Sequence, residues 1–174
     1  MVVSYVSGRI AAKIKARVPD HPTSENVLKY SISFLINTIL SIGLALVISI
    51  FTGKVYETVV VLCAFALLRR MSGGIHLRSS FACISITSIG ANLLSFVSWS
   101  SSVTFVVNCI CLVLIGVFAP AYSHKRKKET ATSTKVLKIG SVILVALNFV
   151  IGDAIIAAAF LTQSLTLLLI KLRR

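Results

Sequence analysis

Acidic residues are scarce in this chain of 174 residues, with 5 Asp and Glu against 18 Lys and Arg. Charged residues of both signs make up only 13% of the chain, whereas soluble domains average about 25%. Hydrophobic residues make up 56%, which excludes a disordered chain and argues against a water-soluble globule. In so apolar a chain, the net charge of +13 indicates positive loops at an anionic membrane surface. We therefore expect a membrane protein with no nucleic-acid partner.

Cysteine and histidine are also few, which limits the redox and metal chemistry that the chain can perform. The four cysteines form no CxxC pair, and the three histidines are scattered: Cys63, Cys83, Cys109 and Cys111; His21, His76 and His124. This pattern indicates neither a disulfide framework nor a zinc site. We expect no metal and no cofactor.

Residues 1–22 combine apolar and basic side chains at roughly helical spacing. We predict an amphipathic helix that lies on the membrane surface with its apolar side down. A solvated basic tail is the alternative. The run Pro19-Asp20-His21-Pro22 ends the segment because proline breaks helices, and Thr23 or Ser24 followed by Glu25 starts the next helix.

The first two membrane spans are predicted from runs without charge. Residues 30–53 contain no charged side chain and exceed the ~20 residues that a transmembrane helix needs. The next apolar run, 58–68, is shorter and crosses only if Lys54 and Arg69 extend their charged ends towards opposite surfaces. A re-entrant hairpin is the alternative for this second run.

The rest of the chain provides four more candidate spans. Residues 79–123 carry no charge and are long enough for two spans, 79–97 and 103–121, with a turn in the serine-rich stretch 98–102. Residues 139–170 are apolar except for Asp153, so they form either two short spans with a turn at Gly152-Asp153 or one long kinked helix. The fold class is thus an all-α integral membrane protein with about six transmembrane helices in a single domain, 1–174.

The distribution of basic residues supports an even number of spans. With the N-terminus inside, 17 of the 18 Lys and Arg residues fall in inner loops or at the termini, and only Lys54 lies outside. This is the positive-inside rule, and it predicts that both termini are cytoplasmic. The largest inner loop, 123–138, is hydrophilic and contains four consecutive basic residues: Lys125, Arg126, Lys127 and Lys128.

The connection between the second and third spans, residues 69–83, holds the candidate catalytic groups. His76 is a candidate general base because its pKa normally lies near neutrality, and Cys83 is a candidate nucleophile because a thiolate attacks carbonyls. Three arginines make the surroundings electropositive, which favours a thiolate: Arg69, Arg70 and Arg78. Free N–H groups at the start of the third span are candidate donors to an oxyanion.

Geometry requires a break in the backbone between these two groups. Seven residues along a straight helix separate His76 from Cys83 by about 10 Å, too far for a hydrogen bond. Gly73-Gly74 and Ser79-Ser80 are where we expect the chain to turn. Each residue also has a simpler interpretation: Cys83 is a small apolar helix residue, His76 is an interfacial side chain, and the arginines are topology determinants.

The sequence of residues 69–83, with Gly73-Gly74-Ile75-His76 followed by Cys83, resembles the motif of the accessory gene regulator B (AgrB) family of bacterial membrane proteins. The resemblance extends by layout over nearly the whole chain. It implies a cysteine endopeptidase of the bacterial cell membrane that cleaves the C-terminal part from an AgrD-like propeptide. It also implies a thioester at Cys83, His76 as the base, and Arg69 and Gly74 as further motif positions. An internal Cys or Ser of the propeptide then closes a thiolactone or lactone ring.

Other interpretations of function stay open on the sequence alone. A small transporter or channel, or a regulatory membrane partner, would also be apolar and basic. Asp153 is the only acidic residue within a long apolar run, and we expect it in an outer turn, far from His76. Expected partners are the propeptide and membrane lipid, with a homodimer as an open alternative. Basic side chains at the inner face are candidate substrate contacts: Arg78, Lys125, Arg126, Lys127 and Lys128.

Overall fold

The computed structural model describes residues 2–19, 22–74, 79–119 and 131–172, with side chains described at all of these except 2, 131–134 and 170–172. The elements of these ranges are seven α-helices: α1 Val2–Arg17, α2 Glu25–Thr52, α3 Val55–Ser72, α4 Ser80–Leu94, α5 Ser101–Phe118, α6 Ala131–Ile151 and α7 Ala154–Leu172. The all-helical prediction is therefore confirmed for this part of the chain.

The predicted N-terminal helix is present and packs against α2. Ser33 Oγ donates a hydrogen bond to Ser7 Oγ over 2.7 Å, and the stem of Lys29 passes 3.6 Å from where a Cβ on Gly8 would stand. Apolar side chains of α1 are exposed at Tyr5, Val6, Ile10 and Ile14, and Val18 just after the helix is exposed as well. The contact of residues 1–22 with a membrane surface stays a prediction.

Helix α3 is continuous, so the alternative of a re-entrant hairpin is wrong. Gly53 ends α2 with a φ of 69°, a left-handed conformation that suits glycine, and α3 begins two residues later. Lys54 Nζ donates to Glu57 Oε1 over 2.8 Å beside this tight turn. The two helices are thereby joined with almost no loop.

Helices α4 and α5 are separated near the predicted turn, but α4 ends at Leu94, earlier than the expected 97. Ser95 Oγ donates to the Asn92 carbonyl over 2.7 Å, a local bond of the kind that competes with helix continuation. Residues of α4 also bond to α2: Ser88 Oγ donates to the Ser41 carbonyl over 2.9 Å, and Asn92 Nδ2 donates to the Ala45 carbonyl over 3.0 Å. The residue farther along α4 bonds to the residue farther along α2, so the two helices run parallel.

The turn at Gly152-Asp153 is confirmed, and the single kinked helix is wrong. Gly152 has a φ of 70°, and Asp153 Oδ1 accepts hydrogen bonds from the N–H groups of Ile155 and Ile156 over 2.7 and 3.0 Å. Asp153 is thus the N-cap of α7. Helix α6 starts at Ala131, earlier than expected, because no Gly or Pro interrupts residues 131–138.

Large apolar side chains lie mainly on the outside, and small or polar ones lie between the helices. Residues 157–159 of α7 are buried alanines, whereas Phe51, Phe81 and Val150 are more than 80% exposed. Small residues at helix contacts and apolar surfaces facing outwards are typical of membrane proteins. Helices α3 and α7 each contact four other helices, so these two lie at the centre of the bundle.

Within the described part of the chain, two helices are long and apolar enough to cross a membrane by length and composition, namely α2 and α5. Shorter apolar helices occupy Ser80–Leu94 and Ala154–Leu169. The two long helices indicate a membrane protein, and the six-span arrangement stays a prediction.

Candidate active site

The first half of the motif lies at the C-terminal end of α3. Gly73 N–H donates to the Arg69 carbonyl over 3.0 Å and closes the last turn. Gly73 itself has a φ of 81°, where a side chain would be strained, so glycine suits the point at which the chain leaves the helix. Ser72 Oγ donates to the Leu68 carbonyl over 2.8 Å. The expected backbone turn at Gly73-Gly74 is confirmed.

The Arg69 side chain lies over the backbone of Gly74. A Cβ at Gly74 would be 3.4 Å from both Cγ and Nε of Arg69, at the lower limit of ordinary van der Waals contact. The guanidinium carbon also lies 5.7 Å from the centre of the Phe65 ring, which is a cation–π contact. Arg69 is half-buried and held in place, whereas its neighbour Arg70 is exposed.

Cys83 lies in the first turns of α4. Ser79 Oγ accepts from Ala82 N–H over 3.4 Å as the N-cap, and Cys83 N–H donates to the Ser79 carbonyl over 3.0 Å. The thiol is partly exposed. The Arg69 guanidinium interacts electrostatically with Cys83 and with Tyr30 of α2. The fold therefore brings the two ends of the motif, residues 69 and 83, near one another.

Several predicted site residues lie outside the described residues. These are His76 and Arg78 in the segment 75–78, and Lys125, Arg126, Lys127 and Lys128 in the segment 120–130. Their roles stay predictions.

The other cysteines and Asp153 lie elsewhere. Cys63 and Cys109 are exposed on α3 and α5, and Cys111 is buried in α5. Asp153 caps α7 and, as expected, is placed in the turn before that helix. Among the described residues no group of three or more His, Cys, Asp or Glu could hold a metal ion.

Two buried amides next to the motif were missed in the sequence. Asn37 of α2 donates through Nδ2 to Ser80 Oγ over 3.3 Å. Gln163 of α7 donates through Nε2 to the Gly73 carbonyl over 2.7 Å and to Ser72 Oγ over 3.1 Å. The available signal was polarity without charge, since Asn37 is the only Asn or Gln within 30–53 and Gln163 the only one within α7.

A comparison with protein families finds a match to Accessory gene regulator B (AgrB) over residues 7–171. No curated protein and no solved structure matches the chain. The matched range contains all the helices described above except the first residues of α1 and the last residue of α7. The chain therefore belongs to the AgrB family, which acts with an AgrD propeptide in the processing of agr quorum-sensing peptides.

Proposed function

We propose that this protein is a membrane-embedded cysteine endopeptidase that cleaves an AgrD-like propeptide at the cytoplasmic face. Cys83 is the nucleophile and His76 is the general base. The substrate is the junction between the ring-forming part of the propeptide and its C-terminal tail. No described residue is assigned as a third catalytic group.

The observation that carries this proposal is the position of Arg69 beside Cys83. The Arg69 guanidinium interacts electrostatically with the partly exposed Cys83 thiol, and it is held on this side of the site by its contact with the Phe65 ring. The start of α4 adds the positive end of a helix dipole on the same side. The other three cysteines have no described basic neighbour of this kind and lie in the middle of α3 or α5.

The chemistry follows from these roles. His76 accepts the thiol proton, Cys83 Sγ attacks the scissile carbonyl carbon, and the developing oxyanion is stabilised by N–H groups at the start of α4. The C–N bond then breaks, and His76 gives the proton to the leaving amine. A Cys or Ser side chain of the propeptide next gives its proton to His76 and attacks the thioester carbonyl. The C–S bond to Cys83 then breaks, Cys83 regains the proton, and a thiolactone or lactone ring is released.

The same proposal places the protein in the bacterial cell membrane with six spans and both termini in the cytoplasm. The motif then lies at the inner face, where a newly synthesised propeptide is available. The basic residues of the inner face provide attraction for an acidic segment of the substrate, with Arg78 and Lys125 to Lys128 as contacts.

The proposal is tested by cysteine replacement in membranes that contain a cognate propeptide. Cys83→Ala should abolish cleavage and leave the propeptide bound, and His76→Ala should do the same. The matched control replaces Cys63, Cys109 and Cys111 together with Ala and should cleave nearly as fast as the wild type. Cleavage by the Cys83→Ala protein would remove the mechanism.

A further inference from the structure

Tyr30 is an exposed aromatic residue beside the candidate active site. It lies in the second turn of α2, and its relative exposure is 65%. Its phenol interacts electrostatically with the Arg69 guanidinium, which also interacts with Cys83. Arg69 is therefore bordered by α4 through Cys83 and by α2 through Tyr30.

A hydrogen bond between α2 and α4 fixes the level of Tyr30 along the bundle. Asn37 Nδ2 donates to Ser80 Oγ over 3.3 Å, so Asn37 stands beside the first residue of α4. Tyr30 precedes Asn37 by seven residues, about 20° short of two full turns, so the two side chains share one face of α2. Because α2 and α4 run parallel, Tyr30 projects about 10 Å past the start of α4. This position accounts for its exposure.

The groups of the candidate site lie at one end of the bundle. Helix α3 ends at Ser72 and α4 begins at Ser80, and the start of α2 lies at the same end because α2 is parallel to α4. The levels of Tyr30 and Cys83 differ by about 15 Å along the helix axes, a distance that about four residues of an extended peptide span. A propeptide that reaches Cys83 from this end comes within reach of Tyr30.

The chemistry of a tyrosine suits contact with a peptide. The ring offers a large, rigid apolar surface with a hydroxyl group at its edge, and tyrosine is enriched among the residues that dominate binding at interfaces. Tyrosine is also common at membrane–water interfaces, where it anchors helices to lipid. The interaction with Arg69 favours the first role for Tyr30, since Arg69 belongs to the motif that holds the nucleophile.

We propose that Tyr30 is a substrate-contact residue: its ring packs against the propeptide within about four residues of the scissile bond and thereby contributes to substrate selection. This role rests on the proposed function. Tyr30 lies too far along the bundle to touch the reacting atoms, so its contact is the same before and during the chemical step. Such a contact lowers KM and leaves kcat unchanged.

Photo-crosslinking tests the contact directly. The variant Tyr30→p-benzoylphenylalanine is made in the full-length Cys83→Ala protein, which should bind the propeptide without cleaving it. Two controls carry the same photoreactive residue at exposed positions, namely Leu35, about 140° farther round α2, and Tyr56, in the first turn of α3. Co-purification shows that each protein binds the propeptide, and mass spectrometry maps the adducts after irradiation.

Kinetics of single substitutions provide the second measurement. Tyr30→Ala and the matched control Tyr56→Ala are compared with the wild type in KM and kcat for cleavage of the cognate propeptide. The rate at which iodoacetamide alkylates Cys83 is measured in the same proteins without propeptide. This rate reports whether a substitution disturbs the thiol itself.

We expect a propeptide adduct from position 30, within about four residues of the scissile bond, and lipid adducts alone from positions 35 and 56. Tyr30→Ala should raise KM about tenfold, the effect of removing an important interface aromatic, with kcat and alkylation of Cys83 unchanged. Tyr56→Ala should keep the wild-type KM.

Lipid adducts alone from position 30, in protein that carries bound propeptide, would overturn the contact and make Tyr30 an interfacial anchor. Adducts confined to a distant part of the propeptide, or a wild-type KM in Tyr30→Ala, would do the same. A fall in both kcat and Cys83 alkylation would also contradict the proposal, because Tyr30 would then act on the thiol. All these outcomes leave the peptidase proposal intact, whereas cleavage by the Cys83→Ala protein removes it.

Discussion

The guanidinium arm of Arg69 rests directly on Gly74, with Cγ and Nε each 3.4 Å from the place where a Cβ would stand. A methyl group at residue 74 would therefore be in direct contact with the Arg69 side chain. It also explains why a charged residue at the end of an apolar helix has a fixed position, since Phe65 supports the guanidinium as well. Gly74 thus gives the Arg69 side chain room to lie against the backbone, whereas Gly73 allows the positive φ at which the chain leaves α3.

Gly74→Ala should therefore lower cleavage without unfolding the protein. Gly74 does not have a positive φ, so alanine is compatible with the backbone, and the added methyl group acts mainly by displacing Arg69 from Cys83. We expect a loss of kcat of at most about tenfold, because the displacement is well below the 1 Å that costs about a hundredfold. The measurement is propeptide cleavage at equal amounts of folded protein.

Gly90→Ala is the matched control for this substitution. A Cβ at Gly90, within α4, would meet no atom within 4 Å outside its own helix backbone. It should keep wild-type kcat and gain about 0.5–1 kcal/mol in stability from helix propensity. Equal activity losses in the two variants would show that the Arg69 contact is not the cause.

Asp153→Ala should reduce stability and leave cleavage unchanged. The carboxylate caps α7 through two N–H groups, and loss of such a cap costs about 0.5–2 kcal/mol. Thermal unfolding in detergent should show a lower midpoint, while kcat at a temperature well below that midpoint stays at the wild-type value. A selective loss of kcat would instead assign Asp153 a part in catalysis.

Neutralising the four basic residues Lys125, Arg126, Lys127 and Lys128 should weaken propeptide binding more than turnover of bound propeptide. Contacts between exposed charges are individually weak and are screened by salt. At low ionic strength the KM of the neutralised variant should therefore exceed that of the wild type. At high salt the two KM values should converge. Unchanged binding at low salt would make this segment a topology determinant only.

Reporter fusions test the six-span arrangement. A reporter that is active only in the cytoplasm should be active after Arg174 and also when inserted within residues 125–134. The reason is the concentration of 17 of 18 Lys and Arg residues on one side. A reporter signal from outside the membrane at either position would contradict the arrangement.

Charge and turn signals in the sequence predicted most of the helices. The break at Pro19, the serine at the start of α2, the turn at Gly152-Asp153 and the serine-rich separation of α4 from α5 all follow from residue types with strong local preferences. Three boundaries were wrong, at the end of α4, the end of α5 and the start of α6. The first depends on a serine side chain bonding to its own helix, which composition does not reveal.

The candidate site was only partly predictable. Arg69, Gly74 and Cys83 belong to one short stretch of sequence, and local spacing was enough to select them. Gln163 lies 90 residues beyond Gly73, and its bond to the Gly73 carbonyl depends on α7 packing against α3. A neutral amide in an apolar run is a weak signal, since it is equally compatible with a bond inside its own helix. Only the packing of α7 against α3 shows that the Gln163 amide bonds to another helix and not to its own.

The side-chain bonds from α4 to α2 have a consequence for the orientation of the nucleophile about its helix axis. Ser88 and Asn92 reach carbonyls of α2, and both lie on the helix that carries Cys83. A rotation of α4 by one residue, about 100°, would turn both polar groups away from these acceptors and towards lipid. The direction in which Cys83 points from the α4 axis is therefore fixed by the contacts of Ser88 and Asn92, five and nine residues farther along the chain.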